Sequence, residues 1–87
     1  MPTVWIPSLM QKLTDEQAQV EVGGETVRQV IEALETRYPG FKERVCEGDR
    51  IRPGLAVAID GEISPEGLRK KVLPDSEVHF LPAIGGG

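Results

Sequence analysis

Two segments near the start of the chain alternate apolar and polar residues. They cover residues 3–6 and 17–22, and a two-residue period is typical of a half-buried strand. Their short separation favours an antiparallel hairpin. The connection, residues 8–16, is expected to be a loop in which Leu9 and Leu13 fold over the core. The residues predicted to point inward are Val4, Ile6, Ala18, Val20 and Val22.

The period changes after Gly23-Gly24, where a helix is predicted. Thr26 and Gln29 have capping-box spacing, apolar residues then recur every three or four positions, and Pro39-Gly40 ends the pattern. The predicted buried stripe consists of Val27, Val30, Ile31, Leu34 and Tyr38. Phe41 and Val45 lie four positions apart, which predicts a further short helical turn against the core.

The second half of the chain predicts two more strands. Residues 55–59 are continuously apolar, which indicates a buried strand, and Asp60-Gly61 is a turn signal. Residues 77–81 form the last strand, with Val78 and Phe80 inward. Residues 47–54 are polar and are interpreted as a loop. In residues 63–72, Leu68 and Val72, with Leu73 after them, could belong to a short strand or to an irregular segment.

This order of elements predicts an α+β fold in which one main helix crosses a mixed sheet of four to five strands. If the last strand lies beside the first, the pair is parallel and the long connection crosses over right-handed. That arrangement is the β-grasp, or ubiquitin-like, fold. We expect one domain over residues 1–81 and a flexible tail over residues 82–87.

The tail is Pro82-Ala83-Ile84-Gly85-Gly86-Gly87. Glycine loses more backbone entropy on ordering than any other residue, so we expect this end of the chain to be mobile. Fully extended, it reaches roughly 20 Å, and without side chains it can present the Gly87 carboxylate to a partner. Taken alone, the glycine run also fits a frayed terminus or an expression scar.

Composition narrows the function classes. The net charge is −4 and lysine and arginine form no long run, so we expect no binding to nucleic acid. No apolar stretch approaches membrane-spanning length, so a cytoplasmic protein is expected. Cys46 and His79 are the single cysteine and histidine, too few for a zinc site. We interpret Cys46 as a partly buried thiol and His79 as a surface or interface residue.

With this order and this ending, the chain resembles the ubiquitin-like sulfur carriers of the MoaD/ThiS family. The resemblance covers essentially the whole domain, and its most specific part is the turn, strand and Gly-Gly ending. Family members typically end in a small residue followed by Gly-Gly, and Gly85 takes the place of that small residue. The matching motifs are Val4-x-Ile6-Pro7 with Leu9, Gly23-Gly24-Glu25-Thr26, Ile59-Asp60-Gly61, Pro74-Asp75-Ser76-Glu77-Val78 and residues 81–87.

The resemblance implies that an E1-like adenylyltransferase uses ATP and Mg²⁺ to adenylate the Gly87 carboxylate. A sulfur donor then converts it to a thiocarboxylate, which donates sulfur to a biosynthetic enzyme. The chain itself would bind no cofactor, would be a monomer when free, and would be a protein co-substrate instead of a free-standing enzyme.

The pathway stays open at this point. The Ile6-Pro7 strand and the helix ending in Tyr38-Pro39-Gly40-Phe41 resemble most the branch serving cysteine biosynthesis, whose acceptor is a cysteine-synthase-like enzyme. Molybdopterin biosynthesis is nearly as good a match; the chain would then be the small subunit beside the molybdopterin synthase large subunit. Thiazole formation is a weaker match. A protein modifier joined to lysines through Gly87, or a plain interaction module, are the alternatives of other classes.

A docking patch is predicted at the root of the tail. Strand alternation sends Trp5, His79 and Leu81 to the face opposite the core, and Ile84 has no core to join. We expect Trp5, His79, Leu81 and the tail residues Pro82, Ala83, Ile84, Gly85 and Gly86 to contact the activating enzyme. The alternative is that the terminal segments pack over Trp5 and Leu81.

Overall fold

A computed structural model describes residues 1–82 of the chain. Within these residues there are seven strands: β1 Thr3–Trp5, β2 Gln19–Glu21, β3 Cys46–Glu47, β4 Arg50–Ile51, β5 Leu55–Ile59, β6 Glu62–Ile63 and β7 Glu77–Pro82. The helices are α1 Val27–Arg37 and α2 Phe41–Val45, together with 3₁₀ helices at Ser8–Thr14 and Gly67–Arg69.

Five strands form one mixed sheet in the order β2-β1-β7-β5-β6. Strands β1 and β7 are parallel, and the other neighbours in this sheet are antiparallel. Strand β7 therefore occupies the centre, paired on one side with the first strand and on the other with β5. This topology, with α1 in the connection between β2 and the later strands, confirms the predicted β-grasp fold.

Helix α1 begins at the predicted cap. The Thr26 side chain accepts a hydrogen bond from the backbone N–H of Gln29 (3.2 Å), and the Gln29 side chain accepts one from the backbone N–H of Glu25 (2.8 Å). Gly24 lies against this start with a φ of 152°, and a Cβ there would come within 2.9 Å of Val30. The close approach requires glycine. The predicted stripe of α1 is buried throughout, from Val27 to Tyr38.

A carboxylate holds the junction between α1 and α2. Glu35 accepts hydrogen bonds from the backbone N–H of Lys42 (2.8 Å) and of Gly40 (3.1 Å), groups at the start of a helix that otherwise lack partners. These two bonds lower the pKa of Glu35, and the bond from Lys42 has the larger effect. The junction places Phe41 in the core, where its ring meets that of Phe80 edge-on at 5.9 Å.

Three expectations about the edges of the fold are wrong. Ala18 is exposed because β2 begins one residue later. Leu9 is 94% exposed, because residues 8–14 form a 3₁₀ helix in which Met10 packs against the core instead. The stretch expected as a loop contains part of a ribbon, in which Cys46 pairs with Ile51.

The segment that could not be assigned from its pattern divides into two parts. Ile63 pairs with Ala58 in the short edge strand β6, and a 3₁₀ turn then brings Leu68 into the core. Val72 is also buried, whereas Leu73 is 66% exposed. The segment therefore closes the core without adding a sixth strand to the sheet.

Candidate partner-binding site at the root of the tail

The tail leaves from the central strand of the sheet. Strand β7 pairs with β1 along Thr3–Trp5 and with β5 from Val78 up to the pair Leu55 and Pro82. Residues 83–87 lie outside the described residues, so the predictions made for Ala83, Ile84, Gly85, Gly86 and Gly87 concern a part of the chain that the structure does not describe. The described part of the chain ends in β7, the strand paired on both sides. Its last residue, Pro82, is the first residue of the predicted tail.

A polar lock between the exposed Asp60 and the buried Ser76 fixes the start of β7. The Asp60 carboxylate accepts hydrogen bonds from the Ser76 hydroxyl (3.0 Å) and from the backbone N–H of Glu77 (2.9 Å). The buried Ser76 oxygen also accepts one from the backbone N–H of Leu73 (2.9 Å). Two motifs quoted for the family resemblance, around Asp60 and around Ser76, therefore bind each other and set where β7 begins.

The face of the sheet away from α1, called here the outer face, carries its side chains in three rows. Alternation along the strands separates them from the buried Val4, Val78 and Phe80, and strand register assigns each row. The first row is Glu21, Thr3 and Glu77; the second is Gln19, Trp5, His79, Ala58 and Ile63; the third is Ala56 and Leu81. The order runs from acidic through aromatic to aliphatic toward the tail.

Trp5 and His79 form one aromatic unit in the second row. Their rings are stacked with centroids 5.4 Å apart and planes only 6° from parallel. The indole N–H of Trp5 also donates a hydrogen bond to Oε1 of Glu77 (3.1 Å). Aromatic pairs and a satisfied indole N–H favour one ring orientation. We call these three side chains, Trp5, His79 and Glu77, the outer-face triad.

The structure brings together the described members of the predicted patch. Leu81 is 37% exposed in the row next to the triad, and Trp5 and His79 are each half-buried. The prediction missed Glu77, because nothing local indicates that its carboxylate meets an indole 72 positions earlier. Register between the first and last strands was the signal that could have found it.

The single cysteine and the single histidine of the chain lie on different sides of the sheet. Cys46 is buried in the core, and burial raises the pKa of its thiol, which favours the unreactive protonated form. His79 faces outward in the triad. Over residues 1–82, no three His, Cys, Asp or Glu side chains are grouped so that they could hold a metal ion, and no helix has the length and apolar character to cross a membrane.

Comparison with known proteins identifies the family. The profile of the ThiS family matches residues 4–87. The chain belongs to the ThiS family. As a ThiS-family member it is 33% identical, over 92 residues, to the sulfur carrier protein CysO of Mycobacterium tuberculosis, a match covering 98% of this chain and 97% of the relative. These matches confirm the predicted sulfur-carrier family.

Solved structures agree with the fold of this ThiS-family chain. A chain in the crystal structure of the Amycolatopsis orientalis BexX/CysO complex has a TM-score of 0.92 and 29% identity, and each chain is covered completely. The small archaeal modifier protein 1 of Methanosarcina acetivorans has a TM-score of 0.78 at 22% identity, covering 99% of this chain and 95% of that one. The second similarity shows the shared fold alone.

Proposed function

We propose that this ThiS-family chain is a sulfur carrier whose Gly87 carboxylate is activated by an E1-like adenylyltransferase and converted to a thiocarboxylate. The observation that carries the proposal is the position of β7. As the central strand, hydrogen-bonded to β1 and to β5, it gives the tail a rigid origin. Leu81 beside that origin offers the partner an exposed apolar contact.

The chemistry needs an activating partner because a carboxylate is anionic and has no good leaving group. In the proposed reaction a Gly87 carboxylate oxygen attacks the α-phosphorus of ATP, bound with Mg²⁺ by the partner, and pyrophosphate leaves. A sulfur nucleophile at the oxidation level of sulfide then attacks the acyl carbon and AMP leaves. The chain contributes the reacting carboxylate and the docking surface, and the partner contributes catalysis.

For the acceptor we favour a cysteine-synthase-like enzyme. The proposal rests on the resemblance to the cysteine branch of the family and on the similarity to CysO proteins. A molybdopterin synthase large subunit remains the second choice, with this chain as small subunit. We place the reaction in the cytoplasm, where ATP is available, and expect the free carrier to be a monomer.

Intact-protein mass spectrometry tests the proposal. The purified chain is incubated with the adenylyltransferase of its own organism, ATP, Mg²⁺ and a sulfide source. The expected product has a mass gain that corresponds to one oxygen replaced by sulfur. High-mass adducts on lysines would instead support a protein modifier, and an unchanged mass would support a plain interaction module.

Two tail variants sharpen the test. Deletion of Gly87 should abolish the mass gain. The terminal carboxylate is then that of Gly86, which falls one residue short of the partner's active site. Gly85→Ala is the matched control and should keep the gain, since other family members carry a small residue there. Both should melt like the wild type. Full conversion of the deletion variant would contradict the assignment of Gly87.

A further inference from the structure

The outer face has an ordered charge pattern that the sulfur-carrier chemistry does not require. All charged side chains at the outward strand positions of the sheet are acidic: Glu21 and Glu77 lie there, and no lysine or arginine does. The Asp60 carboxylate is already bonded to the Ser76 hydroxyl and the Glu77 N–H and shares a depression with Lys70 and Lys71, so the available negative charge of this face is that of Glu21 and Glu77. The face therefore attracts cations at the end of β7 farthest from the tail.

The two glutamates of the acidic row differ in their surroundings. The guanidinium of Arg37 reaches the backbone carbonyl of Glu21 (3.4 Å), so a cation of this chain already lies beside that edge. Glu77 forms no ion pair within the described part of the chain, and Trp5 holds only one of its two oxygens. No described residue donates a hydrogen bond to Oε2 of Glu77. This oxygen is oriented and open.

An oriented carboxylate beside an aromatic pair suits a positively charged side chain. A guanidinium or ammonium group can form a charge-assisted hydrogen bond with Oε2 and can contact the edge or face of the adjacent rings. Because Trp5 fixes the Glu77 carboxylate, less side-chain entropy is lost on binding than for a free surface glutamate.

We propose that Glu77 determines how the activating enzyme docks, by binding an arginine or lysine side chain of that enzyme while Leu81 binds its apolar surface. The inference rests on the proposed function and names the partner's chemistry at that site. Glu77 and Leu81 lie four positions apart along the strand, about 13 Å. The partner should therefore present its cation about that far from the apolar contact at the mouth of the channel that takes the tail.

ATP–pyrophosphate exchange by the adenylyltransferase of the same organism, measured against carrier concentration, tests this assignment. Glu77→Gln removes the charge but keeps an oxygen for the Trp5 indole. It should raise the apparent KM for the carrier about five-fold, which corresponds to ~1 kcal/mol, with kcat and melting temperature unchanged. The difference from wild type should shrink as ionic strength rises.

Two further variants separate the alternatives. Glu43→Gln removes one exposed negative charge from α2, on the other side of the molecule, and should leave KM unchanged; an equal rise would mean that only net charge matters and would overturn the proposal. Wild-type kinetics for Glu77→Gln alongside a raised KM for Glu77→Ala would also overturn it, because Glu77 would then only orient Trp5.

The wild-type chain distinguishes failure of this inference from failure of the proposed function. If the wild type supports exchange and Glu77→Gln matches it, the docking assignment alone is wrong. If the wild type supports no exchange, the sulfur-carrier mechanism fails and this inference fails with it.

Discussion

The two faces of strand β7 use the same backbone for different purposes. Phe80 and Leu81 are neighbours in sequence, yet Phe80 is 3% exposed against the Phe41 ring and Leu81 is 37% exposed on the outer face. The inner side chains stabilise the domain, and the outer ones are available to a partner. We therefore expect the strand to separate folding from recognition, so that substitutions on each side affect only one of them.

The largest effect is expected on the inner face. Phe80→Ala removes a ring from the core and leaves a cavity, which should lower the free energy of unfolding by about 3–5 kcal/mol. Urea denaturation followed by Trp5 fluorescence measures this change. Where the variant is folded, its adenylation should match the wild type, because Leu81 and the outer-face triad are untouched.

Phe80→Leu is the matched control on the inner face. It keeps an apolar side chain of similar reach, so the loss should stay below about 1.5 kcal/mol. A folded Phe80→Ala protein with strongly impaired adenylation would break the proposed separation, since it would show that the core sets the geometry of docking.

A smaller effect is expected from Leu81→Asp, and it should appear in binding. The new carboxylate would be desolvated against the partner's apolar surface, so the apparent KM for the carrier in adenylation should rise about ten-fold, or ~1.4 kcal/mol. The free energy of unfolding should change by no more than about 0.5 kcal/mol. Pyrophosphate exchange and thermal melting give the two numbers.

Leu73→Asp controls for adding an exposed charge. Leu73 is also an exposed leucine, but it lies before β7, away from the end of the strand that leads to the tail. Its substitution should not raise the KM, because Leu73 lies at the Glu77 end of β7, where the proposed partner cation tolerates an added negative charge. If both leucine variants weaken adenylation equally, the added negative charge and not the position of Leu81 is responsible.

Elements with a strong local period could be predicted from the sequence. The 3.6-residue period from Val27 to Tyr38 and the continuous apolar run at residues 55–59 predict burial from local sequence alone. Where the pattern is weak the predictions were wrong: Cys46 and Ile51 pair in a short ribbon, and Leu9, although apolar, is exposed. Hydrophobicity indicates what can be buried, and only tertiary packing decides what is.

The candidate site also contains contacts that local sequence patterns do not determine. Alternation alone placed His79 and Leu81 on the outer face, since it depends on neighbours in sequence. The bond from Trp5 to Glu77 and the lock between Asp60 and Ser76 depend on strand register across the sheet, which no local pattern encodes. The polar contacts that orient the site could therefore be found only by assigning the register between strands, whereas its apolar members followed from local alternation.

The smallest effect is expected at the helix junction on the inner side, and it should depend on pH. Backbone N–H groups of Lys42 and Gly40 bind the Glu35 carboxylate and lower its pKa below the usual 4.5. A group whose pKa is lowered by folding stabilises the fold above its unfolded pKa and loses that contribution as pH falls through the folded value. The wild type should therefore exceed Glu35→Gln in stability at neutral pH, and the gap should narrow below about pH 4.5. Urea denaturation across pH 3–7 measures the gap, with Glu43→Gln as a control for loss of one charge nearby. Because the junction lies on the core side of the sheet, adenylation of Glu35→Gln at neutral pH should equal that of the wild type. A stability difference that does not change with pH would mean that the charge of the Glu35 carboxylate does not hold the junction.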